Sequence, residues 1–92
     1  MNRTLIIFYD LAEPGQNREA LIKKIKSSYK KWARLGSGAY LIVTNASPEA
    51  VRDNLDVLLT PDDRLFVGDA SAPSAWQGMS EAVSKWILAN QK

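Results

Sequence analysis

Asp10 is the residue around which chemistry is most readily built. It closes the run Thr4-Leu5-Ile6-Ile7-Phe8-Tyr9, so a charged carboxylate ends an otherwise apolar stretch. Such a carboxylate at the rim of a sheet, partly shielded, can hold a hard cation through oxygen. A divalent ion held there can activate water or stabilise a leaving phosphate oxygen. One aspartate alone is a poor metal site, but two copies meeting on a twofold axis would share an ion. The competing reading is structural: Asp10 accepts backbone N–H bonds from the loop at 11–17, or caps it. A second acid, Asp69, follows the last apolar strand. Parallel pairing of the two strands would put Asp10 and Asp69 on one rim, and antiparallel pairing on opposite rims.

The other chemistry on offer is phosphate binding. Residues 18–34 carry seven basic side chains and one acid, whereas residues 45–69 carry two basic side chains and six acids. Separated charge of this kind favours a polyanion on one face, or self-association of opposite faces. Lys23, Lys24, Lys26, Lys30, Lys31 and Arg34 can meet phosphates as point charges, or simply form a solvated helix face. Gly36-Ser37-Gly38 follows at once, and its small residues either let a phosphate or a backbone come close or make a plain turn. No GxxxxGK[ST] or GxGxxG pattern supports a nucleotide site. The chain has no Cys and no His. A disulfide scaffold, a thiolate metal site, a cysteine nucleophile and a Ser-His triad are therefore excluded. Catalysis would have to run on carboxylates, Lys, Arg, Tyr, hydroxyls or an oxygen-held metal.

The elements that must position these groups fit in 92 residues, which is one domain. Residues 4–9 read as a buried central strand. Leu21, Ile22, Ile25, Tyr29, Trp32 and Ala33 recur at helical spacing, and the lysines fill the complementary arc, predicting an amphipathic helix over 18–33. A short extended piece at 32–36 is the alternative for its end, forming a hairpin with a strand at 39–44. Ser47-Pro48 marks a helix start, with Ser47 as N-cap and Val51, Leu55, Leu58 and Leu59 as the buried stripe. The turn Thr60-Pro61-Asp62-Asp63 leads to a strand at 64–68. Residues 70–78 read as a loop, in which Trp76 either packs the following helix on the body or lies in an interface. Met79, Val83, Trp86 and Ile87 mark that last helix. No apolar run is long enough to span a membrane and no signal pattern opens the chain, so the expected compartment is the cytoplasm.

This order implies a sheet with helices packed on it. Two architectures compete: a ferredoxin-like βαββαβ sandwich of the α+β class, and a three-stranded parallel sheet with helices on both faces. Three strands are few for a doubly covered parallel sheet, which favours the first, with an added C-terminal helix.

Tyr9-Asp10, the amphipathic helix behind it, Gly36-Ser37-Gly38-Ala39-Tyr40 and Asp62-Asp63-Arg64-Leu65-Phe66-Val67 together resemble the small CRISPR adaptation subunit (Cas-two) and its relatives, which include virulence-associated protein D. The wording LIIFYDL…GSGAYLIVT…LFVG is nearest to the SinR-like group of that superfamily. The resemblance covers residues 4–69 and adds weight to the ferredoxin-like fold. It implies a homodimer that binds nucleic acid. Asp10 matches the proposed metal-binding residue of a nuclease centre at the dimer interface, using Mg²⁺ or Mn²⁺, with Ser37 and basic side chains positioning the phosphodiester. The alternatives are a non-catalytic scaffold, or a regulatory partner in bacterial defence or a toxin–antitoxin system that docks through its C-terminal helix. Two departures stand out. Residues 70–92 replace the extra strand that pairs with the partner subunit, and the first basic residue after Asp10 is Arg18.

Overall fold

The computed structural model describes residues 2–13 and 16–91. Its elements are β1 (Arg3–Asp10), α1 (Gln16–Ser28), β2 (Lys31–Gly36), β3 (Ala39–Thr44), α2 (Pro48–Asp56), β4 (Arg64–Asp69) and α3 (Glu81–Asn90). The fold is α+β, with one four-stranded sheet ordered β2-β3-β1-β4 and every neighbouring pair antiparallel. The parallel alternative is thereby removed. β1 lies between β3 and β4, as its apolar run predicts, while β2 and β4 form the edges. None of the described helices is long and apolar enough to cross a membrane.

Alternation along the strands sorts the side chains onto two faces. Leu5, Ile7 and Tyr9 of β1 join Tyr40 and Ile42 of β3 on one face, where Leu21 and Ile25 of α1 and Val51 and Leu55 of α2 cover them in a single core. The opposite face carries Thr4, Ile6, Phe8 and Asp10, with Ala33 and Leu41 beside them in register. Helix α3 packs against β2. It buries Ile87, and Ala33 and Leu41 are buried with it outside the main core. Thr4 donates its hydroxyl to the Asn90 carbonyl at 2.9 Å, fastening α3 to the central strand. The cover stops short of the β1–β4 half. There Phe8 and Phe66, partners across the ladder, remain 45% and 61% exposed.

The helix expected over 18–33 ends early, at Ser28, and residues 31–36 are the edge strand β2. Two serines close the helix. The Ser27 hydroxyl donates back to the Lys24 carbonyl, a competing bond that weakens helix propensity. Asn54 on α2 then donates to both Ser28 Oγ and Tyr29 Oη, pinning the chain where it turns. Trp32 and Ala33 therefore point to opposite faces of a strand and do not share one helical arc. Trp32 is half-buried against the core and Ala33 is buried on the far side. Helix α2 begins as expected, with Ser47 Oγ accepting from the Ala50 N–H at 3.1 Å and Pro48 in the first turn. It stops at Asp56, so Leu58 and Leu59 lie beyond it.

Candidate nucleic-acid interface and the Asp10 recess

β1 delivers Asp10 to the rim where the β2–β3 turn also arrives. There, Tyr9, Asp10, Leu11, Arg18, Ser37 and Gly38 line a recess of about 220 Å³. The two residues expected to act together, Asp10 and Ser37, are thus neighbours. Two bonds hold the arrangement. The Tyr9 N–H donates to the Gly38 carbonyl at 2.9 Å, and Arg18 on α1 donates Nη2 to the Ser37 carbonyl at 3.2 Å. A Cβ on Gly38 would lie 2.6 Å from the Tyr9 carbonyl oxygen, closer than any side chain permits, so glycine is required there by close approach of two strands. A Cβ on Gly36 would meet nothing within 4 Å.

Asp10 is exposed and makes no ion pair among the described residues. The loop-holding role falls instead to Asp63. Its Oδ1 accepts from the Ala12 N–H at 2.9 Å and its Oδ2 from the Thr60 N–H at 2.8 Å. Those two backbone donors hold the Asp63 carboxyl below the usual carboxylate range. Antiparallel pairing resolves the question of the second acid. Asp69 stands opposite Leu5, at the other rim from Asp10, and accepts from the Ser71 N–H. Asp10 is partnered in register by Arg64.

Among the described residues no three Asp, Glu, His or Cys side chains gather as a metal-holding group. Among the residues that line the recess, Asp10 is the one carboxylate. A hard divalent cation takes six or more oxygens, commonly one or two carboxylates with water and substrate phosphate. Asp10 fits as part of such a set when a second copy or a phosphate supplies the rest.

The basic residues divide in two. Lys23 and Lys26 are exposed on α1 and Lys24 is half-buried beside the core arc. Lys30, Lys31 and Arg34, expected on the same helix, lie beyond its end. Lys30 and Lys31 border a cleft with Asn2, Ser28, Thr44 and Asn45 at the rim opposite Asp10. Arg34 sits in the middle of β2, its Nε donating to the Gly36 carbonyl at 3.1 Å. The two groups nevertheless share a flank. Lys26 Nζ lies 4.7 Å from the centroid of the Trp32 ring, a cation–π contact that sets α1 beside the edge strand.

Two residues of this corner are not read as site residues from the sequence. Arg18 could have been found only from its place near the start of α1. Tyr40 reads as ordinary core. Yet the hydroxyls of Tyr40 and Tyr9 are both buried with no hydrogen-bond partner among the described residues. Burial, then the neighbouring Tyr9 phenol, pushes the Tyr40 phenol above its ordinary value, against the pull of Arg34 and Arg18.

No protein-family model matches the chain, and no curated protein matches it.

Proposed function

We propose that the protein binds nucleic acid along the α1–β2 flank, as a homodimer of Cas-two-like type. The observation that carries this reading is the Lys26–Trp32 contact, which joins Lys23 and Lys26 on a helix to Arg34 on the same face of the edge strand as one cationic surface, with Lys31 at the start of that strand on its other face. Cations spaced along two elements suit the phosphates of a backbone and read little sequence. The acids of α2 and of the turn before β4 go with the β4 edge, against which α2 packs, so Glu19 is the one acid beside Lys23 and Lys26 among the described residues. The sheet order β2-β3-β1-β4, with α1 and α2 on one face, supports a ferredoxin-like βαββαβ unit to which α3 is added.

The dimer would use the uncovered half of the second face. Phe8 and Phe66 are exposed there, and Asp10 shares their face of β1 by alternation. Two copies apposed through these rings would bring their Asp10 carboxylates toward each other. A Mg²⁺ or Mn²⁺ ion between them would activate water or steady a leaving phosphate oxygen, with Ser37 and Arg18 beside the phosphodiester. Binding without cleavage is favoured by the single carboxylate in each recess, and cleavage requires the second copy.

Measuring affinity for labelled single- and double-stranded oligonucleotides across salt tests the reading. Log affinity should fall linearly with log salt, and Lys23→Gln and Lys26→Gln should each lessen a duplex slope by about 0.9. An absence of binding at low salt would refute it. Divalent-dependent cleavage that vanishes in Asp10→Ala would add the nuclease activity. Cleavage surviving that substitution would place the reaction elsewhere.

A further inference from the structure

The corner where β1, α1 and the β2–β3 turn meet holds more hydrogen-bond donors than the fold uses. Tyr9 and Tyr40 are packed on the helix face of the sheet, and their hydroxyls are the buried side-chain polar atoms without a partner among the described residues. Buried polar groups are nearly always paired, so two orphaned hydroxyls in one corner call for an explanation. Arg18 spans the corner from α1, tethered to the Ser37 carbonyl by one exposed bond. Arg34 is the register partner of Tyr40 on the next strand. The recess that Tyr9, Arg18 and Ser37 line is open to solvent and about 220 Å³ in volume, room enough for a tetrahedral oxyanion.

We propose that this corner is a phosphate site: Arg18 turns off the Ser37 carbonyl, the buried hydroxyls of Tyr9, which lines the recess, and of Tyr40, which lies outside its lining, become accessible, and all three side chains donate to the oxygens of one phosphate group. The donor set is the reason for an oxyanion: a phenol can give its proton to a phosphate oxygen, and a guanidinium does so with charge assistance. Both arginine charges act on the Tyr40 hydroxyl, so positive potential reaches that orphaned group. Asp10 lines the same recess and opposes a bare anion. Its charge is offset by Arg18 and leaves the site weak for free phosphate, better for a phosphate delivered on a chain held elsewhere. The inference rests on the nucleic-acid reading for its natural ligand, although the site itself does not.

The test is a titration of the protein with inorganic phosphate in a buffer free of other oxyanions, by calorimetry, at constant ionic strength. Tyr9→Phe and Tyr40→Phe keep the rings and remove only the hydroxyls, so the core is preserved. Thermal unfolding should show each variant as stable as the parent or more so, because an unpaired buried hydroxyl is removed. Each should weaken phosphate binding about tenfold, as loss of a hydrogen bond to a charged group does. Arg18→Gln should weaken it at least as much, whereas Asp10→Asn should strengthen it. Phosphate affinity unchanged in both phenylalanine variants, or no phosphate binding by the parent, overturns the proposal. A parallel titration with a single-stranded oligonucleotide separates the two readings. Phosphate bound through the tyrosines with no oligonucleotide binding sinks the nucleic-acid reading and keeps the site. Oligonucleotide bound equally by parent and phenylalanine variants, with phosphate affinity unchanged in both, sinks the site and keeps the reading.

Discussion

Ile87→Ala asks whether α3 is part of the folded body or a detachable docking arm. Ile87 is 3% exposed and lies over the β2 side of the second face. Truncating a buried isoleucine removes its transfer free energy and leaves a cavity, typically about 2–5 kcal/mol in all. With one flank of the site made by a single helix that can settle inward, a value near the middle, about 3 kcal/mol, is expected. A domain of this size is stable by about 5–14 kcal/mol, so the loss is a large fraction of the total. It corresponds to a fall of roughly 12–24 °C in Tm. The assay is urea and thermal unfolding followed by far-UV circular dichroism, with Leu88→Ala as the control. Leu88 is one residue on and 75% exposed, and its truncation should cost under about 0.5 kcal/mol. If the two variants behave alike, or if Ile87→Ala creates a separate early transition while the sheet melts as before, α3 is not part of the cooperative unit. The Phe8–Phe66 surface would then extend across the whole second face.

Three further outcomes follow from the local geometry. Gly38→Ala should destabilise by about 1–3 kcal/mol because its Cβ would meet the Tyr9 carbonyl, whereas Gly36→Ala should be tolerated, both read by urea midpoint. Ser47→Ala removes the N-cap of α2 and should cost about 1 kcal/mol in the same assay. The Asp63 carboxyl is held below its ordinary value of 3.8, so its contribution is full above that pH and is lost as pH falls through the lower folded value. Asp63→Asn should therefore be less stable than the parent at neutral pH and should lose less on acidification below about pH 4, seen in Tm against pH.

What the sequence made legible was set by how many physical signals agreed at a position. β1, β3 and β4 are short apolar runs bounded by turn residues, and α2 has both a cap and a stripe, so each could be read. The span 29–34 satisfied two periods at once. Tyr29 and Trp32 fit a helical arc, Trp32 and Arg34 fit one face of a strand, and the decision came from Asn54 on α2, distant in sequence. The reading of 4–9 as doubly buried holds for Thr4 but not for Phe8, because cover of the second face depends on where α3 lands, which no local pattern encodes. The pairing of Asp10 with Ser37 in one recess was reached through resemblance. Arg18 and the tyrosine hydroxyls belong to the same corner through tertiary packing alone, and a tyrosine in an apolar strand gives no hint that its oxygen has been left unpaired.

The Thr4–Asn90 bond joins positions 86 residues apart, and it has a kinetic meaning. The strand made first is the middle of the sheet, and both of its neighbours are made much later. No contiguous third of the polypeptide can complete a ladder on either side of β1, so early segments have little to gain by ordering themselves. Long loops must close before contacts reward them, which slows the search relative to helical bundles of equal length. Refolding should therefore be governed by the meeting of β1 with β4, with the last helix arriving as the seal.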